Sequence, residues 1–109
     1  MTLDPHHDAV DQAIRDALED MRRVLIELGH SSYVRVVDHL QSALGEDRED
    51  FYRSVNGGGV WRNMGSIADL GGRQIWEALV RLADALGDAQ LADKETLADA
   101  EMYRQWLSR

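Results

Sequence analysis

The sequence predicts an all-α protein, a compact single-domain bundle of about five helices with a glycine-rich loop in the middle. Three observations support this prediction. Apolar residues recur at spacings of three and four over most of the chain. The alternating β-branched residues typical of strands are missing. A length of 109 residues with 44% hydrophobic residues fits one domain, 1–109, without a second core.

The first helix is predicted near residues 8–28. Its apolar stripe consists of Val10, Ile14, Leu18, Met21, Leu25 and Leu28. Asp4 followed by Pro5 suits an N-cap and a proline at the first helical position, and Gly29 is placed to end the helix. We expect residues 1–7 to be disordered.

A second helix is predicted near 33–44, with Ser31 or Ser32 as its cap and Gly45 as its end. A short third helix begins near Asp47, where acidic residues favour the positive end of the helix dipole.

Two further helices follow the glycine-rich loop. One lies near 73–86 and ends at Gly87, and a weaker apolar pattern extends from about Ala89 to Leu107. The residues expected in the core are Leu18, Leu25, Val37, Leu40, Leu79 and Leu86.

The stretch 55–72 reads VNGGGVWRNMGSIADLGG, and we call residues 56–65 the glycine-rich loop. Neither a phosphate-binding loop nor a dinucleotide fingerprint fits this spacing, because no lysine follows and no βαβ unit is predicted. The loop is interpreted either as a structural joint or as a contact to a partner or ligand. Its structural residues are Gly57, Gly58, Gly59, Gly65, Ser66 and Asp69.

Within this stretch two features allow specific expectations. Ser66 and Asp69 form an S-x-x-D capping box that would start a short helical turn. The loop is expected to be structurally demanding: if one or more of the three consecutive glycines, 57–59, occupy positive φ, alanine at that position should destabilise the fold.

Trp61 and Arg62 stand side by side in the loop, and both residue types are common anchors of protein interfaces. The alternative is that Trp61 fills the core between helices while Arg62 pairs with an acid of the first helix. Both interpretations stay open at the level of sequence.

Residues 51–70, FYRSVNGGGVWRNMGSIADL, resemble a motif of otherwise uncharacterised small bacterial helical domains, in which a glycine pair and a tryptophan lead into Gly-Ser and Asp-Leu. The order of Trp61 relative to the glycines differs here. The resemblance covers about 20 residues and implies a helical, immunity-protein-like domain, without any activity.

Charge is the clearest global signal: 20 acidic and 12 basic residues give a formal net charge of −8. Residues 1–50 carry 12 acids and 5 bases, a net of −7, whereas 51–109 carry 8 acids and 7 bases, a net of −1. Such a field repels phosphate backbones and anionic lipids and attracts a basic protein. The alternative is that acidity only maintains solubility.

Residues for catalysis are few. The absence of cysteine excludes disulfides and thiolate chemistry and fits the cytoplasm. No stretch approaches the ~18 apolar residues of a membrane span. The adjacent His6, His7 and Asp8 form no rigid set of metal ligands, and no strained G-x-S-x-G turn is present. We therefore expect no enzyme, cofactor or metal.

The sequence favours a non-catalytic acidic module that binds a basic protein, as immunity proteins bind toxins. The predicted contacts are Glu46, Asp47, Glu49, Asp50, Trp61 and Arg62. One alternative is a homodimer formed through exposed Trp61, Tyr33, Tyr52 or Trp106. Another is a small-molecule pocket near the glycine-rich loop.

Overall fold

A computed structural model describes residues 5–62 and 64–109, and this part of the chain is all-α, as predicted. The helices are α1 Pro5–Glu27, α2 Val34–Glu46, α3 Arg48–Val55, α4 Gly58–Trp61, α5 Arg73–Asp88 and α6 Lys94–Leu107. Two 3-10 turns, Ser31–Tyr33 and Ala68–Leu70, precede α2 and α5. Among the described helices, none combines the length and apolar content needed to cross a membrane.

The two ends of α1 lie close to their predicted signals. Asp4, the predicted N-cap, lies with the rest of 1–4 outside the described residues, and α1 begins at Pro5, the predicted first helical position. At the other end Gly29 has φ +82°, and the His30 N–H donates to the Leu25 carbonyl at 2.8 Å. This left-handed glycine ends the helix as predicted.

Two other predicted helix ends, at Gly45 and Gly87, were wrong. Gly45 and Gly87 both lie inside helices, near the ends of α2 and α5. α2 ends because Asp47 is extended, with φ −151°, and after α5 the left-handed position is taken by Gln90, with φ +60°. Around the start of α2, neither N-cap position has a side-chain hydrogen bond, so the expected serine cap is wrong too.

The predicted core is confirmed, since each of its six leucine and valine residues is at most 1% exposed. α1 packs against both α2 and α5, and α6 packs against α5. Neighbouring helices run antiparallel: Arg22 near the end of α1 pairs with Asp38 near the start of α2, and Arg73 at the start of α5 donates to the Leu107 carbonyl at the end of α6. The segment between α3 and α5, which includes the glycine-rich loop, therefore closes over one side of the α5–α6 pair.

Candidate functional site

Four acidic residues surround the junction of α2 and α3, and we call Glu46, Asp47, Glu49 and Asp50 the acidic corner. Asp47 caps α3, because its Oδ1 accepts the Asp50 N–H at 3.1 Å. The Asp50 carboxylate lies 3.2 Å from His39 Nε2. Two of the four carboxylates thus have roles inside the fold.

Glu46, Asp47 and Glu49 are exposed, and no ion pair among the described residues involves Glu46 or Glu49. The one cation between them, Arg48, turns away and donates to Asp11 of α1 at 2.8 Å. Because Arg48 is neutralised elsewhere, the negative charge of the corner is not cancelled locally.

The acids of α1 are in a different situation. Asp20 contacts both Arg23 and Arg81, and Arg23 also pairs with Glu27 at 3.1 Å. Exposed pairs of this kind contribute little stability, but they reduce the net field of this face. The surplus charge of residues 1–50 is therefore less evenly spread than the sequence suggests.

His39, Asp50 and Ser54 meet on the surface, although sequence reasoning did not foresee it. Ser54 Oγ lies 3.5 Å and Asp50 Oδ2 lies 3.2 Å from the same ring nitrogen, His39 Nε2. A serine nucleophile needs one imidazole nitrogen while a carboxylate holds the other. The cluster joins α2 to α3 without that geometry.

Metal chemistry finds no support in the described part of the chain, where no group of three His, Cys, Asp or Glu side chains could hold an ion. The side chains of His6, His7 and Asp8 lie outside the described residues.

Trp61 is not available to a partner. Its side chain is fully buried, and its Nε1 donates to the Val55 carbonyl at 2.6 Å. The Tyr103 hydroxyl donates to the Trp61 carbonyl at 2.5 Å. The interpretation of Trp61 as an interface anchor is therefore wrong, and the alternative, a tryptophan that fills the core between helices, is correct.

Arg62 pairs with α6 and not with α1, which corrects the expected partner. Its Nε donates to Asp99 at 2.7 Å, and its Nη1 lies 3.4 Å from Glu95. Partial burial lowers the pKa of Arg62, but the hydrogen bond to Asp99 and the nearby carboxylates outweigh it, so the pKa lies above its usual value. With its guanidinium held by α6, Arg62 serves as a link within the fold.

None of the three consecutive glycines is at positive φ, so the condition for destabilisation by alanine is not met at this run. Gly57 has φ −75°, and Gly58 and Gly59 begin the short helix α4. Among the described glycines, those at positive φ are Gly65, Gly71 and Gly72, together with Gly29. The left-handed backbone therefore lies on either side of the Ala68–Leu70 turn and not at the glycine run.

The capping box is confirmed with one change. The Asp69 N–H donates to Ser66 Oγ at 3.1 Å, as in a standard box. The Asp69 carboxylate reaches back to the N–H of Gly65 at 3.0 Å, one residue before the cap. Ser66 is buried, so this turn is a fixed part of the structure.

Asn56, at the start of the glycine-rich loop, is a structural residue that sequence reasoning missed. Its Nδ2 donates to the carbonyls of Tyr52 and Leu91 at 2.8 and 2.9 Å, and its Oδ1 accepts the Asp93 N–H at 2.9 Å. An asparagine before glycines indicated only a turn, and no local signal points to partners 35 residues away.

A cavity of about 200 Å³ lies beside the glycine-rich loop, and we call it the aromatic cavity. Four aromatic residues line it: Trp61, Trp76, Tyr103 and Trp106. The Trp106 ring centroid lies 5.1 Å from that of Trp76 and 5.4 Å from that of Tyr103. The sequence analysis placed a pocket in this region but did not connect it to Trp76, Tyr103 or Trp106.

Comparisons with protein-family models, with curated proteins and with solved structures found no match to this chain. The geometry of the acidic corner and of the aromatic cavity is therefore the basis for the functional argument.

Proposed function

We propose that this protein is a non-catalytic module that binds a basic protein, with the acidic corner as its contact surface. The supporting observation is which of its charged side chains form ion pairs within the fold and which do not. Glu46 and Glu49 are exposed and have no ion pair within the described residues, while Arg48 between them is held by Asp11. A partner could therefore approach two carboxylates without first breaking an internal ion pair.

The overall charge strengthens this argument. Residues 1–50 carry a net charge of −7, and pairing with arginines partly neutralises the α1 face. Electrostatic steering acts mainly on the association rate and is screened beyond about 8–10 Å at physiological salt. A basic partner should therefore associate quickly at low salt and more slowly as salt is added.

For the partner class, we propose a basic, toxin-like protein that this chain inhibits in the cytoplasm, in the manner of an immunity protein. Trp61 and Arg62 no longer belong to the contact surface, because one is buried and the other is held by α6. A symmetric dimer is the second candidate, since Tyr52 and Trp106 are 42% and 36% exposed.

The test begins with capture of partners from the native cell and their identification by mass spectrometry. Binding kinetics of the captured protein are then measured for Glu46→Lys/Glu49→Lys over a range of salt concentrations. The matched control is Asp88→Lys/Glu101→Lys, which changes the net charge equally at exposed sites of α5 and α6. We expect the corner variant to slow association about tenfold and the control less than about twofold.

Three outcomes would overturn the proposal. Equal effects of the two variants would show that total charge matters and the acidic corner does not. Faster dissociation with unchanged association would contradict steering. Recovery of this chain alone, with a dimer in sedimentation experiments, would favour self-association.

A further inference from the structure

We propose that the aromatic cavity binds a small organic cation, an alkylammonium group. This inference does not depend on the proposed function, because the cavity lies beside the glycine-rich loop and includes no residue of the acidic corner.

The walls of the cavity have the chemistry that such a cation requires. The rings of Trp76 and Trp106 are tilted by 59° to each other, and those of Tyr103 and Trp106 by 68°, so they form adjoining walls rather than a flat stack. Cations bind to the faces of aromatic rings, and indole gives the strongest attraction. Trp76 is half-buried and Trp106 is 36% exposed, so a ligand can reach both from solvent.

The charges around the cavity favour a cation as well. Arg62 and Asp69 line it directly, and Asp93, Glu95 and Asp99 are close enough to Arg62 to raise its pKa. The guanidinium of Arg62 is thus surrounded by carboxylates, of which Asp69 lines the cavity. Arg62 therefore does not make the site positive, and an anion would meet an unfavourable field.

A second guanidinium provides a way to distinguish cations from anions. Arg109 borders an adjoining cavity together with Trp76 and Trp106. If the ligand is a cation, Arg109→Ala removes a repulsion and should tighten binding. If the ligand is an anion, the same variant should weaken binding.

The experiment is a titration of the full chain at constant ionic strength, followed by tryptophan fluorescence and by calorimetry. The probes share a head of three methyl groups on one atom and differ in charge: choline, its neutral isostere with carbon in place of the quaternary nitrogen, and the smaller anion pivalate. We expect saturable binding of choline, with the neutral isostere weaker by about three- to thirtyfold and pivalate weaker still. Equal binding of the three probes, no saturable binding of choline, or preference for pivalate would overturn the proposal.

Two variants and one control locate the site. Trp106→Leu keeps apolar bulk but removes the ring, and Asp69→Asn removes a charge while keeping an acceptor for the Gly65 N–H. Both should weaken choline binding about threefold or more. Tyr52→Leu removes an exposed aromatic ring on α3 and should change it less than about 1.5-fold. Circular dichroism confirms folding, and unchanged choline binding in both folded site variants would contradict the assignment.

The ammonium group has two sources, a free amine or a modified lysine side chain. A short peptide with one trimethylated lysine separates them. Binding of the peptide more tightly than choline indicates a protein side chain, and weaker binding indicates a free small molecule.

Discussion

Replacing Asn56 with alanine is expected to destabilise the fold by about 2–4 kcal/mol. The side chain is 6% exposed and makes three hydrogen bonds, to the Tyr52 and Leu91 carbonyls and from the Asp93 N–H. In the variant, the Tyr52 carbonyl still accepts a hydrogen bond from the backbone N–H of residue 56, which lies 3.2 Å away. The partners at Leu91 and Asp93 lose the asparagine, and each buried group left unpaired costs about 1–3 kcal/mol.

Urea unfolding followed by circular dichroism measures this loss. A domain of this size has a total stability of about 5–15 kcal/mol and an m-value of about 1–3 kcal/mol per molar. The midpoint should therefore fall by roughly 1–2 M urea while the m-value stays the same. The control is Gln12→Ala, which removes an exposed amide hydrogen-bonded to Asp16 within α1 and should cost less than about 0.5 kcal/mol.

A loss below about 1 kcal/mol for Asn56→Ala would refute the reasoning, because it would mean that water replaces the asparagine at low cost. A changed m-value would show that the unfolded state had been altered instead.

Two other predictions follow from the same region. Gly71→Ala should destabilise by about 1–3 kcal/mol, because Gly71 has φ +71° and ψ 176°. Gly59→Ala, at a helical position with open space around the added carbon, should be neutral or stabilise by up to about 1 kcal/mol; similar unfolding midpoints for the two variants would contradict this. For Tyr103, burial raises the pKa of the phenol, the charge of Asp99 adds to this and that of Arg62 opposes it. The resulting stability is fully present below the unfolded pKa of about 10 and is lost as pH rises through the higher folded pKa. An absorbance titration should therefore show one tyrosine ionising at higher pH in the folded than in the urea-unfolded protein, and Tyr103→Phe should remove that step. A titration that this substitution leaves unchanged would assign the step to another tyrosine.

The helices and their buried faces could be predicted because both depend on local periodicity. Leu25 and Leu79 are completely buried, as the three- and four-residue spacing required. Helix ends were less predictable. Gly29 ends α1 at positive φ, whereas Gly45 and Gly87 remain helical. A glycine permits the left-handed conformation but does not require it, so the packing of the following segment decides whether the helix ends there.

The candidate sites were only partly predictable, because they depend both on local sequence and on contacts between distant residues. The acidic corner follows from local sequence, as does the cap that Asp47 gives α3. Which of its carboxylates stay unpaired depends on Arg48, whose partner Asp11 lies 37 residues away. The aromatic cavity depends still more on distant pairs, because Trp76 and Trp106 come from different helices.

By itself, the sequence determined the all-α class, the single core and the excess of negative charge in its first half. Only the tertiary structure decided that Trp61 is buried, that Arg62 pairs with α6 and that aromatic rings meet beside the glycine-rich loop. The physical reason is the separation along the sequence of the residues that interact. Periodicity, caps and net charge are properties of neighbouring residues, whereas the hydrogen bond from Tyr103 to Trp61 joins residues 42 positions apart. Such a pair forms only where α4 packs against α6.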